Sequence, residues 1–170
     1  PISKTVVLIY DAAVGAICTG SILNNEFILT AAHCTESSPV DLRVVFGTDL
    51  QSPSVIVRAV LDYQESPFWA ARQGAQKDHG DIAVLRFAGG LPSGYGPAQV
   101  LLDASSLVKG ARITLAGYGT TRVAAEEKML NLRKVDVSIA DPLFAKTEVL
   151  LDQTSGRGAC HGDSGGPAYL

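Results

Sequence analysis

The sequence predicts an all-β protein, and two observations carry the prediction. The apolar residues fall in short runs dense in Val, Ile and Thr, separated by clusters of Gly, Pro, Ser and Asn. The clusters recur about every ten residues, the rhythm of strands joined by turns. Helical patterns compete only in short windows. The strands expected in chain order are 5–10, 16–23, 26–30, 42–46, 55–61, 82–87, 111–116, 130–139, 148–151 and 166–170. The second and third bracket Asn24-Asn25, and the fourth ends on Phe46-Gly47-Thr48, both turn signals. The helical windows are 30–34, 70–76 and 141–147, the last opened by Asp141-Pro142, a helix-start pattern. Between the sixth and seventh strands, Gly89, Gly90, Pro92, Gly94, Gly96 and Pro97 break the composition. That break marks a linker between two small barrels, an N-terminal unit over residues 1–90 and a C-terminal one over 91–170. No repeat of fixed period and no low-complexity tract occurs, which excludes solenoids and propellers.

Composition excludes other classes. With 46% hydrophobic and 18% charged residues in a chain of 170, a real core can be buried and disorder is ruled out. Seventeen acidic against fourteen basic side chains give a net charge of −3, and there is no basic stripe to meet a nucleic-acid backbone. Asp11, Glu26, Arg43, Arg58 and Asp62 interrupt the hydrophobic first third, so no run approaches the roughly 20 apolar residues of a membrane-spanning helix. Nucleic-acid and membrane partners are therefore not expected. Of the three cysteines, Cys18, Cys34 and Cys160, at least one has no partner within the chain.

The segment Gly162-Asp163-Ser164-Gly165-Gly166-Pro167 carries the sharpest chemistry. A serine hydroxyl is a poor nucleophile until a base takes its proton, and flanking glycines let a carbonyl approach while backbone N–H groups face the developing oxyanion. Taken alone, such a stretch is more often a surface turn. The string also fits the G-x-S-x-G elbow of α/β-hydrolases, whose acid and histidine follow the serine and whose serine opens a helix. Here Pro167, Ala168, Tyr169 and Leu170 follow; none is an acid or a base, and Gly165-Gly166-Pro167 starts a helix poorly, so the elbow is rejected.

The base must be one of three histidines, His33, His79 or His161. An imidazole with an unperturbed pKa of about 6.5 can accept and return a proton near neutrality. His33 has the best context, at the end of an apolar strand and the opening of a small-residue turn. His79 reads as a loop residue, and His161 as a cleft-rim or solvated side chain. An imidazole base needs an orienting carboxylate. Asp81 heads the apolar run Ile82-Ala83-Val84-Leu85, where an acid is costly unless paired. Zinc is not expected: His33-Cys34 and Cys160-His161 are immediate neighbours that point apart, and no C-x-x-C occurs. No cofactor is implied.

Together, Thr30-Ala31-Ala32-His33-Cys34, Asp81-Ile82-Ala83-Val84-Leu85 and Gly162-Asp163-Ser164-Gly165-Gly166-Pro167, in that order, resemble the chymotrypsin-like (trypsin family) serine proteases. Cys18-Thr19-Gly20-Ser21-Ile22-Leu23 is similar to that family's Cys-Gly-Gly-Ser-Leu-Ile strand, and Ala116-Gly117-Tyr118-Gly119 to its Ala-Gly-Trp-Gly. The resemblance spans nearly the whole chain, and the His, Asp, Ser order agrees with it. It implies a double antiparallel β-barrel with the active site in the crevice between the barrels. It further implies peptide-bond hydrolysis through an acyl-enzyme, with His33 as base, Asp81 as orienting acid, Ser164 as nucleophile, and the N–H groups of Gly162 and Ser164 as oxyanion hole. Cys18 and Cys34 would form a disulfide beside the histidine, which places the protein in an oxidising compartment, secreted or periplasmic. The alternative is a catalytically inactive binding or regulatory module on the same fold.

Departures from the family pattern shape further expectations. Gly158 stands where trypsins carry the aspartate at the base of the specificity pocket, so a preference for Arg or Lys loses its support and an uncharged side chain before the cleaved bond is expected. Gly158 and His161 are the candidate substrate contacts. The family's partner for Cys160 lies on a pocket wall beyond Leu170, so the second barrel is expected to be incomplete in this chain, and a C-terminal chain or segment is expected to link through Cys160. Pro1-Ile2-Ser3-Lys4 does not match the Ile-Val-Gly-Gly start whose ammonium pairs with the aspartate before the nucleophile. Asp163 is thus expected to lack that partner, and the chain is expected to be incomplete at both ends. The small number of cysteines suits a bacterial member better than a disulfide-rich animal one.

Overall fold

A computed structural model of the chain describes residues 1–72, 74–121 and 131–170. Six strands form a closed antiparallel barrel: β1 (Val6–Asp11), β2 (Ala16–Ile22), β3 (Phe27–Thr30), β4 (Leu42–Phe46), β5 (Ile56–Glu65) and β6 (Ala83–Phe87). Their order around the barrel is β1-β2-β3-β6-β5-β4. The interior is filled by alternate residues, among them Val7, Ile9, Leu42, Val44, Leu85 and Phe87, as the two-residue period of a strand requires. The rings of Phe46 and Phe87 meet at 5.8 Å in the centre.

A second, four-stranded antiparallel sheet has the order β10-β7-β8-β9, from β7 (Arg112–Gly117), β8 (Arg133–Asp141), β9 (Leu150–Asp152) and β10 (Ala168–Tyr169). Ile113, Val137 and Ile139 form its small core. Between barrel and sheet lies a third apolar cluster of Val6, Leu8, Val45, Ala116 and Tyr118. This explains why β1 reads as an unbroken apolar run: Val7 and Ile9 enter the barrel while Val6 and Leu8 face the second sheet, so both faces are buried. Tyr118, 1% exposed, donates from its hydroxyl to the Gly47 carbonyl at 2.7 Å. Burial pushes its phenol well above the ordinary tyrosine range.

The strand expectations hold to within a few residues at most ends. Leu130, the first residue of the expected strand 130–139, lies outside the described residues, as does Gln73 of the window 70–76. The helical windows require correction. The only α-helix among the described residues is α1 (Pro67–Ala71), which begins ahead of the expected window 70–76 because Ser66 caps it, accepting from the Phe68 N–H, with proline at the first helical position. The window 141–147 is not helical: the Asp141 carboxylate accepts from the Leu143 N–H at 2.9 Å, an Asx turn that ends β8 instead of capping a helix. Window 30–34 becomes a single 3-10 turn, Ala32–Cys34. Asp81 does not begin its strand; β6 starts at Ala83, and Asp81 stands in the loop before it.

Candidate active site

Antiparallel pairing of β3 with β6 places Thr30 opposite Ala83. The chain leaving β3 and the chain entering β6 therefore meet at one end of the barrel. The first carries His33 in the turn Ala32–Cys34, whose other two residues are buried; the second carries Asp81. The Asp81 carboxylate grips the histidine twice, accepting from the His33 backbone N–H at 2.9 Å through Oδ1 and meeting Nδ1 at 2.6 Å through Oδ2. Both side chains remain open to solvent, His33 at 40% and Asp81 at 30%. An ionised carboxylate can only accept, so with a neutral ring this contact selects the tautomer that has its proton on Nδ1 and its lone pair on Nε2. Trp69 of α1 lies beside the imidazole, with ring centroids 6.4 Å apart. It is the only tryptophan, and the Ser66-Pro67 helix start was the signal that could have located it.

Cys18 of β2 and Cys34 form a disulfide across a sequence separation of 16, tying the histidine turn to the neighbouring strand. Their sulfur atoms lie close to a His33 ring nitrogen, but a disulfide sulfur offers no thiolate to a metal. Replacing both cysteines by alanine is expected to cost about 3 kcal/mol, from the freedom returned to the unfolded chain. A melting curve would show this as a fall of about 6–12 °C.

The serine turn is held by the first barrel. Thr19 of β2 donates its N–H to the Ser164 carbonyl and its hydroxyl to the Gly162 carbonyl, both at 2.8 Å. Gly162 (φ +97°) and Gly165 (φ +77°) adopt left-handed conformations, which strain residues with a Cβ. A side chain at Gly165 would also collide with the Thr30 hydroxyl, the Ala31 N–H and the Thr19 carbonyl. The serine turn therefore packs against the chain just ahead of His33. Among the described residues, the N–H groups of Gly162 and Ser164 make no hydrogen bond to the protein.

Asp163 is fully engaged. Its carboxylate accepts from the Gly119 N–H at 2.8 Å and from the Cys160 N–H at 2.9 Å. It sits where a Cβ on Gly117 or Gly119 would be, which accounts for the glycines of Ala116-Gly117-Tyr118-Gly119. Two backbone donors thus serve this carboxylate.

Of the remaining predicted residues, Gly158 and Cys160 line a cavity of about 520 Å³, together with Gln153, Asp163, Arg157 and Lys134. The Gln153 carboxamide occupies the space a Gly158 side chain would take, and accepts from the Ala159 N–H at 2.7 Å. His161 is exposed and does not line the cavity. Cys160 is a free, half-buried thiol that receives a hydrogen bond from the Thr120 hydroxyl. His79 is more than a loop residue. Its N–H donates to Glu148 Oε1 at 3.0 Å and its Nδ1 lies 3.1 Å from the same oxygen, while Asp78 accepts from the N–H groups of Lys146 and Thr147. The loop that carries Asp81 is thereby clasped to the β8–β9 connection. Burial works against the Glu148 charge, but hydrogen bonds from His79 and Asp78 prevail and hold its carboxyl below the usual range.

This arrangement, a closed barrel and a second sheet with an Asp–His pair and a glycine-flanked serine turn between them, defines the chymotrypsin-like fold. Residues 3–170 match the family described as Trypsin. Trypsin alpha-4 of Lucilia cuprina is 29% identical over 162 residues, covering 88% of this chain and 62% of that protein. The CLIP domain-containing serine protease B4 of Anopheles gambiae is 29% identical over 180 residues, covering 90% of this chain and 50% of that protein. Among solved structures, neuropsin, a serine protease expressed in the limbic system of mouse brain, superposes with a TM-score of 0.81 at 22% identity, covering 98% of this chain and 77% of its own. The chain belongs to the trypsin family, and spans 62% of the length of trypsin alpha-4. Its four-stranded sheet is part of the second barrel of that fold.

Proposed function

We propose that the protein is a serine endopeptidase acting outside the cytosol, and that His33, Asp81 and Ser164 are its triad. The observation that carries this reading is the double grip of Asp81 on His33, which leaves Nε2 as the free acceptor. Ser164 Oγ attacks the scissile carbonyl carbon as its proton passes to His33 Nε2. The oxyanion is received by the uncommitted N–H groups of Gly162 and Ser164. The C–N bond then breaks, His33 returns the proton to the leaving amine, and an acyl ester remains on Ser164. Water attacks that ester, giving one proton to His33, and the acid departs as Ser164 is reprotonated. Asp81 keeps the imidazole in the productive tautomer and stabilises the transient imidazolium without taking its proton.

Substrates are peptides or proteins. Gly158 and the neutral Gln153 carboxamide beside it supply no carboxylate for a basic side chain, and the Asp163 carboxylate in the same cavity is taken up by the Gly119 and Cys160 N–H groups, which favours an uncharged residue before the cleaved bond. The units 1–90 and 91–170 supply His33 and Asp81, and Ser164, respectively. A C-terminal segment joined through Cys160 remains part of the reading, supported by that free thiol. Among the described residues no helix is long and apolar enough to cross a membrane. A fluorophosphonate probe tests the reading: peptide mapping is expected to find the adduct on Ser164, and folded protein that takes no label there overturns it.

A further inference from the structure

Thr19 is completely buried and lies between the histidine-bearing and serine-bearing parts of the site. It follows Cys18, whose disulfide reaches Cys34 beside His33. Its carbonyl accepts from the Thr30 hydroxyl at 2.9 Å, at the strand end that leads to His33. Its N–H holds the Ser164 carbonyl at 2.8 Å. Any residue could make these backbone contacts. The hydroxyl adds two that only Ser or Thr can make: it donates to the Gly162 carbonyl at 2.8 Å and accepts from the Tyr118 N–H at 3.1 Å. The strand pattern that this segment resembles has glycine at this place, so that pattern by itself supplies no hydroxyl here.

We infer that the Thr19 side chain is a positioning residue for the reaction: by pinning the Gly162 carbonyl it fixes the peptide plane that lies between the two planes carrying the Gly162 and Ser164 N–H groups. The Gly162 carbonyl belongs to the plane that joins Gly162 to Asp163, and the Ser164 carbonyl to the plane that follows Ser164. With both carbonyls pinned by one buried residue, the intervening Ser164 N–H has little freedom to turn away. Gly162, at φ +97°, belongs to a residue type with two mirror-related backbone basins, so an external tether has something to restrain. The Tyr118 N–H completes the tether by saturating the hydroxyl, which leaves it one orientation. Donors held in place before the reaction cost no reorganisation when negative charge appears, and a misplacement of about 1 Å costs on the order of a hundredfold.

The inference rests on the endopeptidase reading and is tested so that the two can fail separately. Thr19→Val keeps the shape and removes the hydroxyl; Thr19→Ser keeps the hydroxyl; Thr19→Ala removes it from the same reduced volume as serine. In the full-length protein, Thr19→Val is expected to lower kcat on a peptide ester and the rate of Ser164 phosphonylation by about tenfold to a hundredfold, with KM changed less than about threefold. Thr19→Ser is expected to restore both. Amide exchange at Tyr118 should quicken in Thr19→Val and not in Thr19→Ser. Should valine prevent folding, serine against alanine carries the comparison. Equal kcat in the Ser and Ala variants overturns the inference, as does a Thr19→Val protein that melts lower yet turns over normally. Wild-type protein that takes no label at Ser164 overturns the endopeptidase reading, and the inference with it.

Discussion

Replacing His33 by alanine is expected to lower kcat on a peptide substrate by about 10⁶, Ser164→Ala by about as much, and the double replacement scarcely further. In the proposed mechanism the two side chains perform one event. Without the imidazole, the Ser164 hydroxyl keeps its proton and cannot attack; without the hydroxyl, the imidazole has no nucleophile to activate. Each single loss thus removes the whole covalent route. What survives comes from binding and from the N–H groups of Gly162 and Ser164, which neither substitution touches. Single-turnover measurements on the three variants check this. A double variant much slower than either single one would mean that the two residues act independently, and the triad assignment would fall.

Asp81→Asn is expected to cost about 10⁴ in kcat with little loss of fold. The asparagine carbonyl can still accept from the His33 backbone N–H, as Oδ1 does now at 2.9 Å, so the turn keeps its place. Its NH₂ group, however, would face Nδ1 where Oδ2 now stands at 2.6 Å. A donor opposite Nδ1 forces the ring proton onto Nε2, the atom that must accept from Ser164. The variant should fold, melt close to wild type and show the altered tautomer in ring-nitrogen chemical shifts. Full activity would show that Asp81 contributes only to packing.

The barrel strands were legible because their chemistry is local. Runs such as 5–10 and 42–46 announce themselves by β-branched density and turn residues; the structure moves the first by one residue at each end and leaves the second where it was expected. The glycine-flanked serine, a histidine after an apolar run and an acid at a strand mouth were legible for a similar reason: each is expensive or odd where it stands. Tertiary relations were not legible. Nothing near Thr19 announces a hydroxyl that will meet Gly162, because the two segments become neighbours only when β2 and the serine turn pack together. His79 looked ordinary because Glu148, its partner, is remote in the chain. The window 141–147 misled because an aspartate before a proline can close an Asx turn as readily as it can open a helix, and the choice depends on whether β8 has already claimed the backbone.

Strand β1 has a consequence for how the protein comes apart. Its odd-numbered core residues, Val7 and Ile9, belong to the barrel interior, and its even-numbered ones, Val6 and Leu8, to the contact with the second sheet. One strand is therefore a party wall between two hydrophobic compartments, and neither compartment can be flooded while the other stays dry. Heating should empty both in one cooperative step, with barrel and sheet signals vanishing together. The hydrogen bonds from Thr19 of β2 to the serine turn are expected to be lost in that same step.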